Sequence, residues 1–220
     1  MKRSSSKHGA VVFDLDGTLV DSMPMVLRAF AHALAPFRAP LGEMELFLRL
    51  GAPPERAFRE LLDDAAHVPL ALERMVEFSR THWELIQPFA GAQALLSSLR
   101  AQGRDAALWT GRDRRSAEMI LAEHGLEPAF ATAVCGDDLP THKPHPQGLL
   151  EILDRLRLQA ADTLFIGDAD VDVLAGWDAG VRTVLIHHGR DVDAAVLAKA
   201  WRVVKTPAEA YACVQSDGGE

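Results

Sequence analysis

Cysteine is scarce: the 220 residues hold only Cys135 and Cys213. Two thiols build no disulfide framework and, alone, no four-ligand zinc site. No apolar run approaches the roughly 20 residues that span a bilayer. After the basic start MKRSSSKHGA, the apolar positions end at Phe13, too soon for a signal-peptide core. A reducing, cytoplasmic setting without a membrane partner is therefore expected. Positive charge is also in deficit, with 23 Lys+Arg against 31 Asp+Glu and a net charge of -8. Such a surface repels phosphate backbones and argues against nucleic-acid binding. Asparagine is absent, and lysine occurs only at 2, 7, 143, 199 and 205, so Lys143 is the one interior lysine of an Arg-rich chain. The motif GxxxxGK[ST] is missing, which excludes a P-loop kinase, and the nine histidines show neither HExxH nor a paired spacing with cysteine that would mark a metal site. What remains is ordinary globular composition, 48% hydrophobic and 25% charged. The length suits one large domain or a domain with a smaller insert, as a monomer or homodimer.

Short apolar runs recur, each closed by polar or glycine residues. They are Ala10 to Phe13 before Asp14, Ala106 to Trp109 before Thr110, Ala131 to Cys135 before Gly136, Thr163 to Ile166 before Gly167, and Val181 to Ile186. Helical spacing lies between them, at Gln93 to Arg100, Arg114 to His124 and Gln147 to Leu158, with Gly103, Gly125 and Gly180 at expected helix stops. This alternation predicts an α/β fold, a doubly wound parallel sheet covered on both faces. From about Met23 to Gln87 no strand pattern appears, only amphipathic helical stretches broken by prolines. That segment is too long for a loop and reads as an inserted helical domain. The expected division is a core of residues 10–22 and 88–220 with a helical insert at 23–87.

Ligands of an open parallel sheet bind beyond the carboxyl ends of the strands. Those positions carry Asp14 and Asp16, Thr110, the Lys143 loop, and Asp168 with Asp170 and Asp172. An oxygen-rich, sulfur-poor set suits a hard cation such as Mg²⁺, completed by a substrate phosphate. The carboxylates would repel one another unless a cation sat among them. Lys143 and Thr110 could then contact the remaining phosphoryl oxygens.

These residues carry a resemblance. The run Val12-Phe13-Asp14-Leu15-Asp16-Gly17-Thr18-Leu19-Val20-Asp21-Ser22 resembles the first signature of the haloacid dehalogenase superfamily in its phosphatase form. Thr110-Gly111 resembles the second motif, Lys143-Pro144 the third, and Gly167-Asp168 through Asp172 the fourth. The resemblance covers roughly Ala10 to His188 and is nearest to the phosphoglycolate phosphatase-like branch, with the helical segment where that family carries a small cap. It implies Asp14 as nucleophile forming an aspartyl-phosphate, and Asp16 as the group that protonates the leaving oxygen and then activates water. It implies Mg²⁺ held by Asp14, Asp16 through its backbone carbonyl and Asp168, with Asp172 as a direct or water-mediated partner, while Asp170 matches no metal ligand of the family. The substrate implied is a small phosphate monoester, phosphoglycolate-like or a sugar phosphate. The cap is expected to close over the site and set specificity, with Gly111 and the cap residues Arg49, Gly51 and Arg56 as candidate substrate contacts.

Other readings compete. A dehalogenase of the superfamily would lack Asp16 and the Asp168 cluster, and a C–P hydrolase would need a cap lysine, which residues 23–87 do not contain. A sugar phosphomutase of the β-phosphoglucomutase type shares the core residues, although it typically has an apolar residue where Thr18 stands. Pyrophosphate is a further possible substrate, and a non-catalytic phosphate-binding module would retain these residues without use. Single residues also have plainer readings: Asp14 and Asp16 fit a strand-end turn, Asp172 a helix start, Lys143 a loop charge. Arg112 to Arg115 read as a solvated helix start, His142 and His145 as loop residues, and Cys135 as a buried strand residue.

Overall fold

Each of the five apolar runs becomes a strand, and a sixth follows them. The structure, a computed structural model, describes residues 9–42, 45–46 and 54–216. Strands β1 (Val11–Phe13), β2 (Ala106–Trp109), β3 (Phe130–Val134), β4 (Leu164–Gly167), β5 (Arg182–Ile186) and β6 (Arg202–Val204) pair in parallel in the order β3-β2-β1-β4-β5-β6. β6 has two of its three residues exposed, so it lacks the apolar signature that marks the buried strands. Cys135 is buried but lies one residue past the end of β3 rather than within it.

The chain divides into two compact units, Ser22–Gln87 and the remainder. The first contains α1 (Met23–Leu34), α2 (Pro54–Leu61) and α3 (Val68–Thr81). Proline stands in the first turn of each helix, where its missing N–H has no intrahelical partner to lose. The apolar stripes of these helices meet in a separate core of Phe30, Leu34, Ala57, Phe58 and Ala71, with the two phenylalanine rings 4.9 Å apart.

In the second unit the strands are flanked by α4 (Ala92–Ala101), α5 (Arg114–Glu123), α6 (Gln147–Leu156), α7 (Asp170–Ala179), α8 (Ala194–Leu197) and α9 (Pro207–Ser216). Gly103, Gly125 and Gly180 have positive φ and end α4, α5 and α7, as the sequence predicts. Val12, Phe165, Ala107 and Trp109 of the central strands pack with Leu149 and Ile152 of α6. Each such large side chain contributes about 1.5–3 kcal/mol on burial. Because both faces are covered, the central strands are apolar throughout rather than alternating.

Strand order reverses at β1: the chain progresses through β2 and β3 on one side, then crosses to β4, β5 and β6 on the other. The crevice this leaves lies beyond the carboxyl ends of β1 and β4. Phe13 is in register with Leu108 and with Ile166, so Asp14, Thr110 and Asp168 emerge within one or two residues of the same level. The turn after β1 is held from α9, where Tyr211 Oη donates to the buried Thr18 carbonyl at 2.6 Å. Tyr211→Phe should lower stability by about 1–3 kcal/mol in urea denaturation, because the carbonyl is left unpaired in a buried place. An unchanged midpoint would mean that the turn does not depend on this bond.

Candidate active site

Three loops converge on Asp14. Its backbone N–H donates to Ile166 O at 2.8 Å, which continues the β1–β4 ladder and fixes the direction of the side chain. Gly17, immediately after Asp16, has φ +71, and a Cβ there would overlap the Asp168 carboxylate. Only glycine lets the loop after β1 approach the loop after β4 so closely. Asp14, Asp168 and Asp172 each offer a carboxylate oxygen, and these atoms lie within 4.8 Å of one another. Lys143 Nζ stands among them, 2.7 Å from Asp14 Oδ1 and 2.7 Å from Asp172 Oδ1. Trp109 and Phe165 bound the ammonium at 4.9 and 5.3 Å from their ring centroids.

Burial sets the electrostatics. The Asp14 carboxyl is pushed up to about 8, chiefly by burial, with Lys143 opposing and Asp172 and Asp168 adding to the rise. Asp168 is pushed up to about 7 by burial and by Asp172, again against Lys143. Burial opposes the Lys143 charge, yet Asp14 and Asp172 outweigh it and hold the ammonium firmly protonated. One cation thus faces three carboxyl groups. An all-oxygen donor set with more carboxyl groups than cations, Asp14 and Asp172 buried and Asp168 partly open to water, suits a hard divalent ion that keeps some of its waters, so the residues fit Mg²⁺. Asp172 is also tied down from behind, its Oδ2 accepting from Ala169 N at 3.0 Å at the start of α7.

Thr110 is buried at the end of β2, and its Oγ1 accepts from Arg112 N at 3.2 Å, which leaves the hydroxyl proton to donate. Gly111 is exposed and has open space where a side chain would stand. Asp16 is not among the three clustered carboxylates. Its side chain forms a two-pronged ion pair with Arg112, Nε to Oδ2 at 2.6 Å and Nη2 to Oδ1 at 2.7 Å. This corrects the reading of Arg112 as part of a solvated helix start: its side chain is only 19% exposed. In the helical unit, Arg56 is exposed and pairs with Glu60 one turn along α2, at 3.1 Å. Arg49 and Gly51 lie outside the described residues.

The loop after β5 was silent in the sequence, yet it braces two of the others. His188, at φ 51, places Nε2 2.7 Å from the Gly17 carbonyl. Arg190 donates to the Asp168 carbonyl at 2.9 Å and pairs with Asp170 Oδ1 at 2.6 Å. Asp170 therefore has a supporting contact. The strand-end rule that singled out Asp14 also covered this loop; what was missing was any residue type that distinguishes a brace from an ordinary turn.

Known proteins share this architecture. Residues 11–186 match the haloacid dehalogenase-like hydrolase family. The chain is 34% identical to a phosphoglycolate phosphatase of Cupriavidus necator over 189 residues, 82% of this chain and 81% of that protein. It is 28% identical to the pyrophosphatase PpaX of Halalkalibacterium halodurans over 177 residues, 80% of this chain and 82% of that one. Among solved structures, a HAD-superfamily hydrolase from Geobacter sulfurreducens superposes with TM-score 0.80 at 20% identity, covering 97% of this chain and 100% of the other. At that identity the likeness concerns the fold.

Proposed function

The chain belongs to the haloacid dehalogenase-like hydrolases, and from that premise we propose that it is a Mg²⁺-dependent phosphatase that hydrolyses a small phosphate monoester through a phosphorylated Asp14. The observation that carries this reading is the convergence of Asp14, Asp168 and Asp172 around Lys143.

Lys143 holds Asp14 Oδ1, which leaves Oδ2 to attack phosphorus. As that O–P bond forms, the bond to the leaving oxygen breaks, and Asp16 supplies the proton that oxygen needs. Asp16 then takes a proton from water, the hydroxyl attacks phosphorus, and cleavage at Asp14 Oδ2 releases phosphate and restores the carboxylate. Lys143 and the Thr110 hydroxyl offset charge on the phosphoryl oxygens throughout. A divalent ion held by Asp14, the Asp16 carbonyl, Asp168 and Asp172 would neutralise the developing charge.

A phosphate-release screen tests this, run with Mg²⁺ and with EDTA over a panel that includes phosphoglycolate, sugar phosphates and pyrophosphate. The curated relatives differ on just this point, one being named for phosphoglycolate and another for pyrophosphate. Turnover without a bisphosphate activator separates hydrolysis from phosphomutase chemistry. No release from any member would reject the reading.

The raised carboxyls give a second check through stability. Asp14 and Asp168 have folded-state values of about 8 and about 7, above the ordinary 3.8, so the folded protein binds more protons than the unfolded one in that interval. Their contribution to stability is complete below about pH 4 and is lost as pH rises through 7 to 8. Without divalent ions, Tm should therefore fall from pH 5 to 8. Mg²⁺ should raise Tm, and more at pH 8 than at pH 5, because the ion competes with those protons. Equal shifts at both pH values would place the ion elsewhere.

A further inference from the structure

We infer that Arg112 binds a second anionic group on the substrate, a carboxylate or phosphoryl carried by the leaving group, by exchanging its Asp16 partner for it. The inference rests on the reading above in one respect: Asp16 serves the leaving oxygen, so the leaving group lies beside Asp16. Arg112 Nε and Nη2 lie 2.6 and 2.7 Å from that same carboxylate. An anion two or three bonds from the leaving oxygen would come within reach of the guanidinium.

The geometry is already that of an anion receptor. A guanidinium offers parallel N–H donors that match the two oxygens of a carboxylate or phosphoryl, and Asp16 occupies them in this way. Arg112 is fixed by its backbone, with its N–H on Thr110 Oγ1 at 3.2 Å and its carbonyl accepting from Gly136 N at 2.6 Å. Gly136 has no room for a side chain, since a Cβ there would overlap the Gly111 carbonyl. The fork is thus pinned at its base. Both partners keep partial access to solvent, the Arg112 side chain at 19% and that of Asp16 at 33%, so the pair can open towards a ligand.

Neighbouring cations are committed elsewhere: Lys143 to Asp14 and Asp172, and Arg190 to Asp170 and the Asp168 carbonyl. Asp113, beside Arg112 in sequence, is occupied by Ser116 through its backbone N–H and hydroxyl, at 3.0 and 2.6 Å. The exchange also has a chemical consequence. While Asp16 accepts from Arg112 with both oxygens, neither oxygen is turned to a leaving group. A substrate bearing a second anion releases Asp16 as it binds, whereas a neutral ester must open the ion pair without replacing it.

The test compares two non-hydrolysable phosphonates by calorimetry in Mg²⁺. Phosphonopropionate carries the distal carboxylate, and propylphosphonate has the same chain length without it. The wild-type protein should bind the carboxylated ligand roughly tenfold to a hundredfold more tightly, the range expected of charge-assisted hydrogen bonds. Arg112→Met should erase that preference while keeping affinity for propylphosphonate, and Arg112→Lys should restore part of it. Wild-type protein that does not discriminate would overturn the inference. So would equal weakening of both ligands in Arg112→Met, since Arg112 would then merely prop Asp16. Circular dichroism and thermal melts show whether the variants remain folded. Phosphate release from phosphoglycolate and ethyl phosphate is measured separately. Failure of wild-type protein to hydrolyse either would count against the proposed mechanism, while the binding preference would still decide the role of Arg112.

Discussion

Asp14→Asn is expected to reduce steady-state phosphate release by roughly 10⁴-fold or more, the scale on which loss of a nucleophile is felt in other enzymes, with no loss of fold. The amide is nearly isosteric but cannot form an acyl phosphate by attack, because its oxygen is a poor nucleophile and its nitrogen is conjugated. Stability should hold or rise. Asp14 is buried and its carboxyl pushed up to about 8, so its ionised form weakens the folded state at neutral pH. Lys143 keeps Asp172 as a partner at 2.7 Å, so the substitution does not strand the ammonium. Phosphate release and a urea denaturation curve, both at pH 7.5, decide the matter. Near-normal turnover would remove Asp14 from the nucleophile role, and a collapse of the urea midpoint would mean that the carboxylate is chiefly structural.

Lys143 should show the opposite balance. Its ammonium bridges Asp14 and Asp172 and is only 10% exposed. Lys143→Met leaves three neighbouring carboxyl groups without their counter-charge, and breaking a buried pair from one side costs about 3–5 kcal/mol. Asp14 and Asp168, already pushed up to about 8 and about 7, can take up protons, so the loss should be small at pH 5 and grow towards pH 8. Lys143→Arg retains the charge, yet a planar fork cannot occupy a place framed by two carboxylates and the rings of Trp109 and Phe165. Its turnover should fall by roughly 10²–10³, as on removal of a single charge-stabilising donor. Denaturation at both pH values and phosphate release measure the two effects. A pH-independent loss in Lys143→Met would mean that the carboxyl groups do not respond to the ammonium.

Much of this architecture is legible in the order of the residues. The strands β1, β2, β4 and β5 announce themselves as apolar runs because both faces of the sheet are covered, and their ends announce themselves because polar residues cannot continue inside. β6 escaped, since a largely exposed edge strand has no such run. The long stretch without strands between Met23 and Gln87 pointed to helices, which form their own core around Phe30 and Phe58. In the site, the positions of Asp14, Thr110, Lys143 and Asp168 followed from where strands end. The Asp16–Arg112 pair did not: the two residues are 96 positions apart, and an arginine before a helix looks the same whether it meets water or a carboxylate. His188 and Arg190 were hidden in the same way.

By itself, the sequence determined which chemical groups stand at the carboxyl ends of which strands, because hydrophobic burial along the chain is a local signal that residue order carries directly. Only the tertiary structure decided how those charges are partnered: Lys143 between Asp14 and Asp172, Asp16 on Arg112, Asp170 on Arg190. Coulomb energies and hydrogen bonds depend on distances of a few ångströms between side-chain atoms, and those distances are set by rotamers and loop packing that spacing along the chain does not encode.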